Sequence, residues 1–510
     1  MNSTKKIGRN LLWGFFAELI AIVVGILVPR WTLVSYGSEI NGCINSITQI
    51  YTYIALLEAG VGTVTLQALY KPTAEKNKNQ INGILSATNK YYCRTGIGYI
   101  LAIVVLSVIY PLIVRSDIPF ITIVLIIVFN GLGGAISYFC QAKYFIFLQS
   151  SGKNYVQTSL NLTVNVIKNV GKIVLMNLGF DVVWVQSLAL IVSLLQMVYI
   201  MLYIRKCYPW INLKAAPDYE TIKQSKNVWV HQISGLIFHS TDTILLSVFC
   251  GLKEASVYAI YAMLFNYVTS ILGVFSNSTT FLVGQKYDTN KKQFNQLFDI
   301  YELAYIVLSF IVFTITSCFI LPFISLYTRG IEDINYLDKW IAILFLIVNI
   351  LSQIRIPLNQ IIIIKGDFKQ TQGRSIIEAV INLTVSIIAI QFLGIYGVLL
   401  GTIVALLFRT NDIIIYSNRR ILNRRSWCSY KRILVNSGIF LLITGIKQLF
   451  NFDLNSYVNI VLVCIPYALA VSLCYIVVNG LFEIKTIKKA IQTLKNKKII
   501  KKEILNEDIG

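Results

Sequence analysis

Between Leu11 and Val478 the sequence keeps returning to apolar stretches of about 20 residues, the length that carries a helix across the hydrocarbon core of a bilayer. Charged residues fill only 14% of the 510 positions and apolar residues 56%. Soluble domains carry about 25% charged residues, which places this chain outside their class. The apolar content is spread over many spans, leaving no room for a folded soluble domain. Lys5, Lys6 and Arg9 before the first apolar run imitate the basic start of a secretion signal. That run continues past Val28 with no small-residue cleavage pattern, so the expectation is a first span that is retained. The nine cysteines are scattered singly without a CxxC pair, and only His231 and His239 could join them at a metal. Buried free thiols, with neither disulfide framework nor metal site, are expected.

Polar, Gly- or Pro-containing breaks divide the chain into fourteen candidate helices, at roughly 10–29, 43–69, 90–114, 118–148, 155–178, 182–204, 227–250, 255–284, 296–327, 337–364, 373–392, 395–417, 431–449 and 457–482. Alternate connections of a membrane protein are basic on the cytoplasmic side. With the N-terminus inside, the external segments hold only Arg30, Arg115, Lys253, Arg329, Lys339 and Lys447. Lys168, Lys172, Arg355 and Arg409 fall within helices, and all the rest of the 45 Lys and Arg lie inside. A miscounted helix would exchange the two sets downstream of it, so both termini are expected to be cytoplasmic. A net charge of +21 would suit a nucleic-acid binder, but its distribution follows topology and attraction to anionic membrane lipids instead. The lysine-rich end reads as a solvated, membrane-hugging tail.

The two halves echo each other. Asn161-Leu-Thr-Val164 recurs as Asn382-Leu-Thr-Val385, each in the fifth helix of its half. Gly179 and Gly394 open the helices that follow, Asn10-Leu-Leu-Trp13 has a counterpart in Asn227-Val-Trp229, and Pro111 and Pro322 end corresponding helices. Six helices per half is an even number, so the halves share one orientation and form a parallel repeat about an axis along the membrane normal. The expected architecture is an all-α membrane protein with a lobe at 1–210, a second at 211–425, an added helix pair at 426–485 and a basic tail at 486–510, the lobes facing a central cavity.

Val28-Pro-Arg-Trp31, Tyr36-Gly-Ser-Glu-Ile-Asn-Gly42, Leu56-Leu-Glu-Ala-Gly-Val-Gly62 and Leu69-Tyr-Lys-Pro72 resemble the polysaccharide-export family, as do Gly366-Asp-Phe-Lys-Gln-Thr-Gln372 and Gly394-Ile-Tyr-Gly-Val-Leu-Leu-Gly-Thr402 in the second half. These are flippases for lipid-linked oligosaccharides, the repeat units of O-antigen and capsule, and relatives of the multidrug and toxic compound extrusion transporters. The resemblance runs along essentially the whole chain. It implies a bacterial cytoplasmic-membrane protein that moves an undecaprenyl-pyrophosphate-linked oligosaccharide by alternating access, with no cofactor, and with polysaccharide polymerase machinery as a candidate partner.

A charge at the centre of a membrane helix costs about 2.5 to 3.5 kcal/mol on insertion scales, so it normally faces a wet cavity or a partner. Gln157, Asn161, Asn165, Lys168 and Lys172 follow at spacings of 4, 4, 3 and 4, on one face of the fifth helix. Ammonium groups suit phosphate and amides suit sugar; the alternative is interhelical hydrogen bonding with Lys172 snorkelling outward. Arg355 suits bidentate phosphate binding beside the helix-bending Pro357, or pairs with an acid such as Glu302 or Glu378. Arg409 and Asp412, three apart, can satisfy each other. Arg30 stands at the outer end of the first helix as an exit guard or a snorkelling cation. His239 and Asp242 are spaced to form a proton-sensitive pair, and Glu58 and Glu18 are open to helix packing or cation coupling.

Three other functions compete. A drug or cation antiporter wants an acidic, aromatic cavity, whereas Lys168, Lys172 and Arg355 make this one basic. A membrane-embedded glycosyltransferase or polymerase needs an acidic catalytic site, commonly with a large external loop. Here the longest external connection runs roughly from Tyr327 to Lys339, and its Asp333 and Asp338 read as surface charges. A peptidoglycan-precursor flippase is the third.

Overall fold

The computed structural model describes the backbone of residues 3–58, 61–219, 241–287, 291–447, 449, 453–484 and 486. Helices make up all its regular structure, and no strand occurs among the described residues. In chain order they are α1 (Ser3–Ile54), α2 (Val61–Ala74), α3 (Lys78–Ile113), α4 (Phe120–Ile136), α5 (Ala142–Ser150), α6 (Asn154–Asn177), α7 (Val182–Cys207) and α8, described over 241–249. Then follow α9 (Leu252–Tyr287), α10 (Lys291–Tyr327), α11 (Lys339–Ile354), α12 (Ile356–Lys365), α13 (Phe368–Leu393), α14 (Ile395–Tyr416), α15 (Trp427–Lys447) and α16 (Tyr457–Phe482). Nine helical segments among the described residues are long and apolar enough to cross a membrane. Their outer faces keep large apolar side chains bare, with Phe392 82% and Leu112 72% exposed. Hydrocarbon is the solvent such faces need. The chain is a multi-pass membrane protein.

The structure redraws several expected boundaries. Residues 30–42, expected as an external connection, are helical: α1 runs on through Pro29 and Arg30 and changes direction only at Gly37. Gly37 has φ 82° and ψ 178°, a conformation open to glycine and strained for other residues. Arg30 therefore sits within a helix and not at its end. The expected helix 43–69 is divided by a tight turn, Ala55–Glu58, before α2. The expected helix 90–114 starts twelve residues earlier, at Lys78, with the Asn77 side chain accepting from Gln80 N (3.2 Å) as its cap. Its 36 residues span about 54 Å, beyond an apolar core of about 30 Å, and the polar first turns were invisible to a search for apolar runs. The expected helix 337–364 breaks at Arg355, where Pro357 removes a backbone donor from the next turn. Most of the expected helix 227–250 lies outside the described residues.

Two compact units are present. The first comprises Met1–Ile260, Gly330–Asn335 and Ile390–Val398. The second comprises Tyr261–Arg329, Tyr336–Ala389 and Leu399–Gly510. The first unit extends past the lobe boundary expected near residue 210, and α8 and the start of α9 bond to the second half of α1. Asn41 Nδ2 donates to Ser256 Oγ (2.7 Å), and the Tyr53 and Thr241 hydroxyls share a hydrogen bond. Gly42 lies so close to α9 that a Cβ there would stand 1.8 Å from the Leu252 carbonyl oxygen. Asp333, expected as a bare surface charge, accepts from the N–H and hydroxyl of Ser38 (2.8 and 2.7 Å), immediately after the Gly37 bend. Asp338 caps α11 by accepting from Trp340 N and Ile341 N (2.7 and 3.0 Å).

The core of the first unit is built on stacked tyrosines (Tyr51, Tyr92, Tyr99 and Tyr138) among α1, α3 and the α4–α5 joint. In the second unit α15 and α16 pack on α10 around Phe310, Ile439, Val471 and Tyr475. Below that core Glu302, 1% exposed, is held by Arg424 Nη2 (2.6 Å), by Arg432 and by the Ser429 hydroxyl (2.5 Å). This cluster fastens the terminal helix pair to α10. Gly179 and Gly394 both take left-handed φ, 76° and 55°, where one helix gives way to the next.

Candidate functional site

The fifth expected span, α6, is too polar to rank among the nine apolar spans. Its polar face is distributed among three environments. At its start Gln157 lines a cavity of about 400 Å3 with Glu58, Tyr92, Ser137 and Gln149. Tyr92 Oη donates to Glu58 Oε1 at 2.5 Å, and a Cβ on Gly62 would meet both groups at 3.2 Å, so the smallest residue keeps this corner open. One turn on, Asn161 accepts from Gln196 Nε2 of α7 (2.8 Å). The repeat partner Asn382 does the equivalent, donating to Thr402 Oγ1 of α14 at 2.9 Å. In both copies of the Asn-Leu-Thr-Val motif, then, the asparagine bonds to the following helix. Asn165 is exposed.

Lys168 and Lys172 follow, one turn apart. Lys172 Nζ donates to Gln186 Oε1 of α7 at 2.8 Å. No carboxylate among the described residues lies within salt-bridge reach of either lysine. Two like charges at this spacing repel, and partial burial without a counter-charge adds a desolvation cost to each. A neutral amide offsets little of that. An anion arriving from outside would offset much more.

Sequence reading missed a third such lysine. Lys143 was assigned to a cytoplasmic connection, yet it is 5% exposed. Between α4 and α5 a π-helical turn, Ser137–Gln141, leaves the Phe139 carbonyl to the side chain: Lys143 Nζ donates to Phe139 O and to Asn89 Oδ1, both at 2.6 Å. Its only sequence signal was a lone lysine near the end of a long apolar run.

The arginines of the second unit are placed differently. Arg355 Nη1 donates to Glu378 Oε1 at 2.5 Å, the paired alternative, with Glu378 and not Glu302 as partner. Arg409 Nε lies 3.4 Å from Glu378 Oε2, and Arg409 Nη1 donates to Asp412 Oδ2 at 2.6 Å, the pair that their spacing predicts. Arg374 reaches Asp412 Oδ1 at 2.8 Å. These five charges form one chain linking α12, α13 and α14 at the Arg355 break.

Four expected residues remain. Arg30 is half-buried in α1 beside Trp31, whose indole N–H donates to Asn177 Oδ1 (3.0 Å) at the end of α6. Asp242, 4% exposed, accepts from Tyr258 Oη (2.7 Å); its proposed partner His239 lies outside the described residues. The side chain of Glu18 lies outside them too. Among the described residues no His, Cys, Asp and Glu group fit to hold a metal occurs.

The chain superposes on a structure described as "Lipid II flippase MurJ, inward closed conformation" with a TM-score of 0.71 over 93% of this chain and 100% of that one, at 15% identity. An inward-facing multidrug resistance MATE family transporter of the MOP superfamily gives 0.63 over 84% and 99%, at 14% identity. Its fold is that of the MOP-superfamily transporters. An outward-facing structure of that kind of transporter gives 0.51 over 84% and 96%, also at 14% identity. No family model matches the sequence, and no curated protein matches it either. In this fold, then, buried Lys143 and half-buried Lys172 of one unit bond to neutral oxygens, and half-buried Lys168 lies one turn from Lys172, while Arg355, Arg374, Arg409, Arg424 and Arg432 of the other are tied to carboxylates.

Proposed function

We propose that this protein is a flippase that moves an undecaprenyl-pyrophosphate-linked oligosaccharide from the inner to the outer leaflet of a bacterial cytoplasmic membrane. It does so by alternating access between its two six-helix lobes, with both termini cytoplasmic, and its product feeds O-antigen or capsule assembly. The observation that carries this reading is the Lys168–Lys172 pair, two neighbouring cations without a carboxylate among the described residues. A pyrophosphate is the complementary group: charge-assisted contacts to phosphate contribute about 1.5 to 3 kcal/mol each. Gln157 of α6, with Glu58 and Tyr92 across the same cavity, offers amide, carboxylate and hydroxyl groups suited to sugar hydroxyls. Transport of this kind breaks no covalent bond, so the reading assigns no catalytic residue, metal or cofactor.

A second reading, a peptidoglycan-precursor flippase, is favoured by the likeness to the lipid II flippase and differs in the group that the lipid carries. The deciding experiment reconstitutes the purified protein into vesicles with lipid II, with a lipid-pyrophosphate repeat unit, or with a cationic drug. It follows the exposure of each substrate on the far side. The repeat unit should flip fastest, and the Lys168→Gln/Lys172→Gln variant should lose that activity. Drug transport with neither lipid moving would refute both flippase readings.

A further inference from the structure

We propose that a groove between α10, α11 and α15 binds one anionic glycerophospholipid, with its headgroup phosphate at Lys339 and Lys447 and an acyl chain along the groove. The groove lies wholly within the second unit and encloses about 420 Å3. Leu321 of α10, Leu346, Ile347 and Ile350 of α11 and Phe440 of α15 give it apolar walls. The two hydroxyls in its lining are already engaged, Ser317 with Thr314 O and Thr444 with Phe440 O, both at 2.7 Å. Its length therefore offers almost nothing to a polar ligand.

Its mouth is the opposite. Lys339 in the first turn of α11 and Lys447 in the last turn of α15 line the same groove. Neither has a carboxylate within salt-bridge distance among the described residues. Both belong to the few cations that charge distribution assigns to the external side. Exposed Trp340 and Tyr457, 65% and 49% bare, stand in the first turns of α11 and α16. Indole and phenol rings collect at the depth of lipid headgroups, which places the lysine end of the groove at lipid phosphates. A free anion would leave the apolar length empty, and a zwitterionic lipid would leave the two ammonium groups without net counter-charge. One molecule with an apolar chain and an anionic head satisfies both ends. This site is separate from Lys168 and Lys172 and does not depend on what the protein transports.

The test uses the full-length protein, delipidated in mild detergent and supplied with dioleoylphosphatidylglycerol, dioleoylphosphatidylcholine or glycerol 1-phosphate. Native mass spectrometry counts bound lipid, and thermal unfolding reports stabilisation. One phosphatidylglycerol should be retained and should raise the unfolding midpoint, whereas the choline lipid and the chain-free phosphate should do neither. Lysines near an anionic headgroup contribute about fivefold each, so Lys339→Gln/Lys447→Gln should weaken retention about thirtyfold. Ile347→Trp, which fills the groove and keeps both lysines, should also displace the lipid. Equal retention of the two lipids would overturn the proposal, as would protection by glycerol 1-phosphate or full retention by the double lysine variant. If Ile347→Trp fails to fold, the lysine variant at the rim still decides the outcome.

Discussion

The two units treat buried positive charge in opposite ways. In the second, half-buried Arg355 and buried Arg409 share Glu378, Asp412 joins Arg409 to the more exposed Arg374, and Arg424 and Arg432 share Glu302. In the first, Lys143 and Lys172 lean on amide and carbonyl oxygens, and Lys168 has a like-charged neighbour. A buried cation with its own acid is complete: breaking the pair costs more than the pair contributes, because the survivor is stranded. A buried cation with only neutral oxygens is incomplete and gains from any anion that reaches it. Arginine, planar and always charged, suits the first task; lysine, a compact charge on a flexible stem, suits the second. The contrast sets the paired arginines apart from the lysines, where sequence spacing alone ranked Arg355 beside them.

The comparison breaks most clearly at Glu378. Glu378→Gln removes the carboxylate shared by buried Arg409 and partly buried Arg355 and should cost about 3 to 5 kcal/mol, read as a large fall in thermal unfolding midpoint and in folded yield. An unchanged midpoint would mean the arginines are not held by it. Next comes Lys168→Gln/Lys172→Gln, expected to slow flipping of a lipid-pyrophosphate sugar by about tenfold to a hundredfold per lysine. The same change should leave thermal stability equal or slightly improved, since like charges are removed. A loss of stability comparable to Glu378→Gln would place the lysines with the arginines. Arg355→Lys keeps the charge but loses the fork, and should cost about 1 kcal/mol of stability with transport retained. Asn161→Ala removes one interhelical hydrogen bond and should cost about 0.6 kcal/mol, with substrate affinity unchanged. A selective loss of affinity there would return Asn161 to the binding face.

Where local spacing carries the information, the sequence was readable. The 4, 4, 3, 4 stripe on α6 and the Arg409–Asp412 pair depend only on helical periodicity, and both reappear in the structure. The all-helical membrane fold was legible from the recurring apolar runs, and its likeness to the MOP transporters from the ordered motifs. Contacts between distant segments were not. Ser38 meets Asp333 across 295 positions, and Glu302 meets Arg424 and Arg432 across more than 120, with no local pattern to announce either. Lys143 escaped for another reason: its burial depends on a π-helical turn that frees one carbonyl, a backbone detail without a residue signature. The polar start of α3 and the helical stretch after Arg30 escaped because a search for apolar runs sees only what lipid touches.

Equilibrium binding of a radiolabelled undecaprenyl-pyrophosphate sugar to the purified protein in nanodiscs tests the central claim most directly, with the monophosphate lipid carrying the same sugar as control. If Lys168 and Lys172 complete their charge on the diphosphate, the wild-type protein should prefer it about tenfold or more. Lys168→Gln/Lys172→Gln should erase that preference while the protein stays folded, and Arg355→Lys should keep it. A double lysine variant that still prefers the diphosphate by the wild-type margin would contradict the assignment.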